Sequence, residues 1–253
     1  MIGLKNTPLV TIITVVFNGE QHLEKTIQSI INQSYSNIEY ILIDGGSSDR
    51  TIDIIRKYDD AINFWKSEQD AGIYDAMNKG LSLAHGDWLN FMNAGDQFAS
   101  NESVANFMES SSAEKSIVFS DILLEGSDGS EREIIQKGLK EYFFYRNICH
   151  QSIFYNHKKI KNLMHYNLKY KIAADFDLLM RIYIMDILNF SAKNNRFDVK
   201  YLDGGVSSIS CLERVDERRD ILIDHLRYLS IDYLLNLFKT KVNRFQCKKH
   251  ESV

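Results

Sequence analysis

The sequence predicts an α/β fold in which helices flank a mostly parallel central sheet. Short apolar runs of strand length alternate with helical patterns through the first half of the chain, as in parallel sheets with crossover helices. Two of these runs end in polar turns, one at Asp44 and one at Asp96. Because ligands of such sheets bind beyond the carboxyl ends of the strands, both turns are expected to border the same crevice.

Strands and helices follow one another regularly in the first half. Leu9–Phe17 is rich in β-branched residues and lies between Pro8 and Asn18-Gly19, which predicts the first strand. Further apolar runs predict strands at Ile38–Ile43, Ile62–Trp65 and Trp88–Met92. Apolar residues at helical spacing mark the helices between them: Leu23, Ile27, Ile30 and Ile31, then Ile52, Ile55 and Tyr58, then Tyr74, Met77, Leu81 and Ala84.

The second half is less regular. Apolar runs predict strands at Ile117–Leu124, Ile134–Gln136, Ser152–Tyr155 and Arg196–Leu202, and a helix face begins near Asp175. We expect a domain at residues 1–213, with a nucleotide-binding half at about 1–98 and an acceptor half at about 99–213. A C-terminal helical extension, 214–253, is predicted from an amphipathic pattern at Leu222, Leu226, Leu229, Tyr233 and Leu237.

The composition of the chain argues against several classes of protein. The chain of 253 residues has a formal net charge of -4, which gives no electrostatic reason to expect nucleic acid as a partner. The three cysteines, Cys149, Cys211 and Cys247, form no CxxC pair, so neither a disulfide framework nor a zinc site is indicated. The run Leu9–Phe17 is too short to span a bilayer, and a cytoplasmic location is expected.

The loop Asn93–Asp96 is the first candidate for chemistry. Asp96 follows a strand end in the predicted crevice, where a carboxylate is well placed to hold Mg²⁺ or Mn²⁺ together with phosphate oxygens. Such a cation would neutralise a diphosphate leaving group. The alternative is a strand-to-helix turn in which Asp96 only caps a helix.

Two further segments are candidates for binding a nucleotide. Asp44, at the tip of a parallel strand, can accept hydrogen bonds from a nucleobase or ribose, or can serve only in its turn. The segment Asp70–Gly80 enters a helix through Gly72, and a helix N-terminus that faces the crevice favours phosphate. The alternative there is that Tyr74 and Met77 are core residues.

Asp175 and His150 are the candidates in the second half. A carboxylate such as Asp175, at the start of a helix, can remove the proton from an attacking hydroxyl; the alternative is an ordinary acidic residue in the first turn. Asp177 points elsewhere and is not expected to share its site. His150 can help to ligate the metal or contact the acceptor, or can be structural.

The C-terminal end of the chain is basic. Lysines and arginines follow the apolar face of the last predicted helix, and such a helix can lie on an anionic membrane surface. Peripheral contact with the inner face of the cell membrane is therefore one expectation, and a solvated terminal helix is the other. The residues concerned are Lys239, Lys241, Arg244, Lys248 and Lys249.

With these residues together, the chain resembles the family 2 glycosyltransferases, which are inverting enzymes of the GT-A fold. It looks closest to bacterial members that build exopolysaccharide and O-antigen repeat units. Three departures from the family pattern stand out: Gly45 and Gly95 replace customary carboxylates, and Ala174 replaces an acidic residue before the base. The matching segments are Thr11–Asn18, Ile43–Asp49, Asp70–Gly80, Gly86–Trp88, Asn93–Asp96 and Ala174–Asp177.

The resemblance implies a role for each candidate residue. Asp175 would be the catalytic base, Asp96 would bind Mn²⁺ or Mg²⁺, and Asp44 would contact uracil. His150 would lie near the acceptor and the diphosphate. The other residues expected to bind the nucleotide-sugar are Phe17, Asn18, Gly72, Tyr74, Asn78 and Asn93.

The activity so implied is inverting transfer of a sugar from a nucleotide-sugar, a UDP-hexose or UDP-N-acetylhexosamine, to a hydroxyl. The acceptor would be a glycan, or one linked to a polyprenyl diphosphate, in bacterial surface polysaccharide synthesis. Two alternatives stay open: another sugar-nucleotide enzyme, such as a nucleotidyltransferase, and a non-catalytic scaffold. The first would need a basic, Gly-rich loop after strand 1, where the chain instead has Phe17–Glu20.

Overall fold

The computed structural model describes residues 7–126, 128–136, 149–186, 189–202 and 211–225. The strands are β1 (Val10–Val16), β2 (Ile38–Asp44), β3 (Phe64–Ser67), β4 (Trp88–Phe91), β5 (Gln97–Phe98), β6 (Ile117–Glu125), β7 (Glu131–Ile134), β8 (Ile153–Asn156) and β9 (Ser191–Leu202). The helices are α1 (Leu23–Ile31), α2 (Thr51–Lys57), α3 (Ile73–Ser82), α4 (Ser103–Ser110), α5 (His157–Ile160), α6 (Ala174–Met185) and α7 (Cys211–Asp224).

The first four strands form a parallel unit in the order β3-β2-β1-β4. Every residue of β1 is buried, as expected for a parallel strand that is covered on both faces. Val16 pairs with Asp44, and Asp44 pairs with Ser67, so these strands end at one edge. The predicted crevice therefore has a parallel sheet edge as its base.

The second half extends the same sheet with mixed pairing. β8 lies antiparallel to β4, and β6 lies antiparallel to β8 and β7 but parallel to β9. The predicted α/β class is confirmed, and the mostly parallel character holds in the first half, whereas the whole sheet is mixed. Because β8 pairs directly with β4, residues just before β8 are brought to the end of β4.

Apolar side chains cover both faces of the sheet. Alternate residues of β1 point to opposite sides, so Ile13 joins one core cluster and Ile12 joins the other. The Ile13 cluster includes Met77 of α3 and Phe176 of α6, so the prediction that Met77 is a core residue is confirmed. The Ile12 cluster includes Leu23 of α1.

Several element boundaries differ from the predictions. The strand predicted at Ile62–Trp65 is observed at Phe64–Ser67, because a 3-10 turn precedes it and Ile62 packs in the core outside the strand. The strand predicted at Ile134–Gln136 is observed at Glu131–Ile134, since hairpin pairing rather than apolar content sets its start.

The two C-terminal elements also begin earlier than predicted. β9 begins at Ser191 rather than Arg196, because its polar first residues still pair with β6. The last described helix begins at Cys211. The predicted continuation of an amphipathic helix to Leu237, and the basic residues after it, lie outside the described residues.

A close backbone contact at Gly86 supports the start of β4. A Cβ atom on Gly86 would lie 2.6 Å from the Thr11 nitrogen and 2.7 Å from the Trp88 oxygen, and backbone atoms cannot move aside easily. We expect Gly86→Ala to lower the free energy of unfolding by about 1–3 kcal/mol, the usual cost of overpacking. Urea denaturation measures this. Ser82→Ala, at an exposed site nearby, should change it by less than about 0.5 kcal/mol, and equal values for both variants would refute the contact.

Candidate active site

Hydrogen bonds join the residues that follow β1 to the turn that follows β2. Asn18 has a left-handed backbone conformation with φ of 50°, which Asn tolerates better than most residues. Its side-chain Oδ1 accepts a hydrogen bond from the Ser48 backbone amide at 2.9 Å, and the Asn18 backbone amide donates to Ser47 Oγ at 2.7 Å. Phe17, the residue before it, is 66% exposed at this edge. The structure thus brings these predicted nucleotide contacts together with the Asp44 turn.

Asp44 is fully buried and organises its turn. Its Oδ2 accepts hydrogen bonds from the Gly46 and Ser47 amides and from the Ser67 hydroxyl, at 3.1, 3.0 and 2.6 Å. Its Oδ1 accepts from the Ser47 hydroxyl at 2.5 Å and has capacity for a second donor. Asp44 is therefore a turn-forming carboxylate, and the predicted contact with uracil stays a prediction.

Asp49 has a local role in the turn that precedes α2. Its Oδ1 accepts from the Thr51 amide at 3.0 Å, and its Oδ2 accepts from the Glu20 amide at 3.0 Å. It therefore supports the start of α2 and fastens the turn after β1 to it. The hydrogen bonds it accepts hold the pKa of its carboxyl below its usual range.

The start of α3 faces the second half of the chain. Gly72 has φ of 112°, a conformation that favours glycine. Tyr74 is buried, and its hydroxyl donates to the Ile172 carbonyl at 2.8 Å. Asn78 uses both ends of its amide on the Tyr166 backbone, at 2.9 and 2.8 Å. Tyr74 and Asn78 thus join α3 to the loop before α6, and their predicted nucleotide contacts stay predictions.

The loop Asn93–Asp96 is shaped by a glycine. Gly95 has φ of 107°, and a Cβ atom there would lie 3.3 Å from Leu202 Cδ2. An aspartate at this position would be strained, which accounts for the glycine where the family pattern has a carboxylate. Thr26 holds the loop from α1, since its hydroxyl accepts from the Gly95 amide and donates to the Asp96 carbonyl at 3.0 and 2.8 Å.

Asp96 is buried beneath the crevice. Its Oδ2 accepts from Gln151 Nε2 at 2.5 Å, and its Oδ1 accepts from the Leu202 amide at 3.1 Å. Burial raises the pKa of this carboxyl to about 7, against the opposing effect of these hydrogen bonds and of His150. Near neutral pH, the group is therefore poised between its protonated and ionised forms.

Three predicted site residues form a connected chain. Asn93 Nδ2 lies 3.0 Å from His150 Nε2, and His150 Nδ1 lies 3.6 Å from Asp175 Oδ2. Asp175 is nearly buried at the start of α6, and its Oδ1 accepts from the Phe176 amide at 2.8 Å and lies 3.4 Å from the Tyr74 hydroxyl. The end of β4 is thus linked to the start of α6 through one imidazole.

Asp177 belongs to a different environment, as predicted. Its Oδ2 lies 2.9 Å from Arg181 Nε, and its Oδ1 lies 3.0 Å from His225 Nε2. These partners offset the effect of burial and hold the pKa of its carboxyl below its usual range. Asp177 therefore anchors α6 and does not face Asp175's partners.

Asp96 and Asn93 offer oxygen ligands for a divalent cation, whose remaining ligands would come from the substrate and water. Within the described ranges, no three His, Cys, Asp or Glu side chains converge on one point. The buried Asn93 Oδ1, however, has no hydrogen-bond partner there, and Asp96 supplies a carboxylate. Mg²⁺ and similar ions commonly take one or two carboxylates and draw their other ligands from phosphate and water. This donor set matches that pattern.

Sequence reasoning missed several supporting residues. Gln151 bonds to Asp96, and Glu217 of α7 binds the backbone just before α6. Gln151 adjoins His150 in the sequence, so its position was a usable signal. Glu217 is far from Asp175 along the chain and lies in a helix full of charged residues, so nothing in the local pattern distinguishes it.

Comparison with known proteins identifies the class. Residues 11–181 match the family model described as Glycosyl transferase family 2. A PGL/p-HBAD biosynthesis glycosyltransferase from Mycobacterium bovis is 32% identical over 183 residues, which cover 70% of this chain and 70% of that protein. The chain therefore belongs to glycosyltransferase family 2 and is a glycosyltransferase.

Solved structures agree on the fold. S. aureus TarS in complex with UDP-GlcNAc is similar with a TM-score of 0.72 and 17% identity, over 94% of this chain and 73% of that one. The mannosyltransferase PcManGT from Pyrobaculum calidifontis, in complex with GDP-Man and Mn²⁺, has a TM-score of 0.69 and 14% identity, over 94% and 74% of the two chains. The fold is the GT-A fold.

Within the part of the chain that the structure covers, every helix is too short or too polar to cross a bilayer.

The raised pKa of Asp96 makes stability depend on pH in a defined direction. In the unfolded chain this carboxyl loses its proton near its ordinary pKa of 3.8, whereas in the folded protein it does so near 7. The folded state therefore holds the extra proton between these values, and stability falls as pH rises through this window, by up to about 1.4 kcal/mol per pH unit. Asp96→Asn should lack this contribution.

Urea denaturation at intervals from pH 4 to pH 8 measures the effect. The stability of the wild type should decline relative to Asp96→Asn as pH rises, whereas Asp60→Asn, at an exposed site, should follow the wild type. Parallel curves for wild type and Asp96→Asn would show that Asp96 titrates normally.

Proposed function

We propose that this protein transfers a sugar from a nucleotide-sugar donor to a hydroxyl group, with inversion at the anomeric carbon. The observation that supports this most is the chain from Asn93 through His150 to Asp175. It links Asp175 to the end of β4, which belongs to the same parallel unit as β2 and its Asp44 turn. A donor whose nucleotide lies on the edge of this unit would present its sugar toward Asp175.

Asp175 acts as the general base in this mechanism. It removes the proton from the acceptor hydroxyl as that oxygen forms a bond to the anomeric carbon. The bond from the anomeric carbon to the diphosphate oxygen breaks, and the nucleoside diphosphate leaves with the electron pair. The Phe176 amide donates a hydrogen bond to Asp175 Oδ1, and His150 lies beside Oδ2, so both contacts help to fix the orientation of the carboxylate.

Asp96 and Asn93 would hold a divalent cation, Mn²⁺ or Mg²⁺, against the diphosphate. Bound there, the cation supplies charge neutralisation for the leaving group. PcManGT, which shares the fold, is in complex with Mn²⁺. Asp96 must be ionised to serve as a ligand, so cation binding is expected to strengthen as pH rises through about 7.

The donor we propose is a UDP-hexose or UDP-N-acetylhexosamine, held by Phe17, Asn18 and the Asp44 turn. TarS, with the same fold, is in complex with UDP-GlcNAc, whereas PcManGT is in complex with GDP-Man. Gly72, Tyr74 and Asn78 would border the sugar from α3.

The acceptor we propose is a glycan or a polyprenyl-diphosphate-linked glycan in bacterial surface polysaccharide synthesis, such as O-antigen or exopolysaccharide. The Mycobacterium bovis relative is named for PGL/p-HBAD biosynthesis. The enzyme would work in the cytoplasm, with peripheral membrane contact through the basic C-terminal residues. The division into a domain at 1–213 and an extension at 214–253 also stays a proposal, and α7 begins before that boundary.

A non-catalytic scaffold is the competing function. Both Asp96 oxygens already accept hydrogen bonds, and no cluster of three candidate metal-ligating side chains occurs among the described residues. A scaffold would bind neither donor nor cation at this crevice, so donor hydrolysis separates the two functions.

A donor panel tests the proposal. UDP-glucose, UDP-galactose, UDP-N-acetylglucosamine and GDP-mannose are each incubated with the protein and Mn²⁺, Mg²⁺ or EDTA, and release of the nucleoside diphosphate is measured. We expect one UDP-sugar to raise Tm and to be hydrolysed slowly in the presence of the cation. Asp175→Asn should lower the rate about 10²–10⁴-fold, the usual scale for general-base catalysis, and leave UDP binding intact.

Asp60→Asn is the matched control, because it makes the same chemical change on the exposed surface. It should behave as the wild type does. The enzyme proposal fails if no donor raises Tm or is hydrolysed under any condition. The role of Asp175 fails if Asp175→Asn retains the wild-type rate.

A further inference from the structure

Helix α7 lies beyond the family match at residues 11–181, yet it contacts the segment that carries Asp175. Glu217 Oε1 accepts a hydrogen bond from the Lys171 amide at 2.7 Å. Its Oε2 accepts from the Ile172 and Ala173 amides at 2.9 and 2.8 Å. One carboxylate therefore binds three successive backbone amides immediately before α6.

These amides have few other ways to be satisfied. The N-cap of α6 is Ala173, whose methyl side chain cannot accept a hydrogen bond, and no side-chain cap is present there. A carboxylate at this end of a helix is also favoured by the helix dipole. For the Ala173 amide, Glu217 thus supplies from a distant part of the chain the acceptor that a glutamate at the third helical position would supply in a capping box, where this chain has Phe176.

The segment held by Glu217 is directly joined to the surroundings of Asp175. The Ile172 carbonyl accepts from the Tyr74 hydroxyl at 2.8 Å, and that hydroxyl lies 3.4 Å from Asp175 Oδ1. Asp175 itself follows Ala173 by two residues. A shift of residues 171–173 would therefore move both the base and the tyrosine beside it.

Two other contacts fasten α7 to the same region. Asp224 Oδ2 accepts from Lys169 Nζ at 2.7 Å and from the Tyr170 hydroxyl at 2.6 Å. His225 Nε2 lies 3.0 Å from Asp177 Oδ1. These side chains contact the chain on both sides of residues 171–173 in the sequence. The end of α7 therefore helps to fix the position of the start of α6.

We infer that Glu217 is a positioning residue for the transfer reaction: it holds residues 171–173 so that Asp175 meets the acceptor hydroxyl. This inference rests on the proposed function. Asp175 must lie within hydrogen-bonding reach of that hydroxyl, and a misplacement of about 1 Å can cost about 10²-fold in rate. The nucleotide end of the donor lies on β1 and β2, so its binding should not depend on Glu217.

Three variants test the inference. Glu217→Ala removes all three acceptor contacts. Glu217→Gln keeps one oxygen, which can still accept from Ile172 and Ala173, but turns an amide NH₂ toward the Lys171 amide. Glu213→Ala is the control, since Glu213 lies on the exposed side of the same helix.

The readouts separate positioning from folding. The kcat and KM for UDP release from UDP-glucose and UDP-N-acetylglucosamine report on the reaction. The Kd for UDP in the presence of Mn²⁺ reports on the nucleotide site. Hydrogen exchange of the backbone amides of residues 170–177 reports on the contact with Glu217. We expect Glu217→Ala to lower kcat about 10- to 100-fold, to change the UDP Kd by less than about twofold, and to speed exchange at 171–173. Glu217→Gln should be intermediate, and Glu213→Ala should equal the wild type.

Each contrary result has a distinct meaning. If exchange speeds up but kcat is unchanged, the contact exists and does not position the base, which overturns the inference while the proposed function stands. If UDP affinity falls as much as kcat does, Glu217 supports the whole fold, and the inference is again overturned. If the wild type releases no UDP and binds none, the proposed function fails, and the catalytic role of Glu217 fails with it.

Discussion

The site depends on the position of His150, whose imidazole joins Asn93 at the end of β4 to Asp175 at the start of α6. That position follows from the antiparallel pairing of β8 with β4, since His150 precedes β8 by a single short turn. Without this pairing, the end of β4 and the carboxylate at the start of α6 would not be joined through His150. The mixed second half of the sheet is therefore what brings the end of β4 and Asp175 into one candidate site.

Three buried carboxylates lie at the candidate site, and hydrogen bonds to them stabilise the surrounding turns. Asp44, Asp96 and Asp175 are all nearly or completely buried, and an ionised carboxylate is costly to bury unless hydrogen bonds replace its water. Asp44 accepts four such bonds, whereas Asp96 accepts two and has a raised pKa. Thus Asp44 is fixed in its turn, and Asp96 is poised to exchange a proton near neutral pH.

Local pattern was sufficient to predict the first half of the fold. β-Branched runs and helical spacing identified the strands and helices through Phe91, because most of these elements carry buried apolar residues at regular spacing. The exposed strand β3 is the exception, and its start was predicted two residues too early. In the second half, strand pairing rather than composition decides where strands begin. The polar start of β9 is a strand because β6 lies beside it. Predictions from apolar content therefore placed that strand's start too late.

The candidate site was predictable to the extent that its residues follow strand ends or open helices. Asn93, Asp96 and Asp175 were identified in this way, and His150 was identified from its place beside a predicted strand; the structure brings the four together. The commitment of Asn78 to the Tyr166 backbone, and the contact of Glu217 with residues 171–173, arise between segments that are distant in the chain. No spacing rule reports such contacts, because they depend on how α6 and α7 pack.

The central claim is that Asp175 acts as a base in a single displacement rather than as a nucleophile. The anomeric configuration of the sugar first released from α-linked UDP-glucose, followed by proton NMR before mutarotation, tests it most directly. We expect β-glucose to form first, because a water molecule activated by Asp175 attacks the face opposite the diphosphate. Initial release of α-glucose would contradict single displacement with inversion, since it requires either a double displacement or attack from the face that the diphosphate leaves.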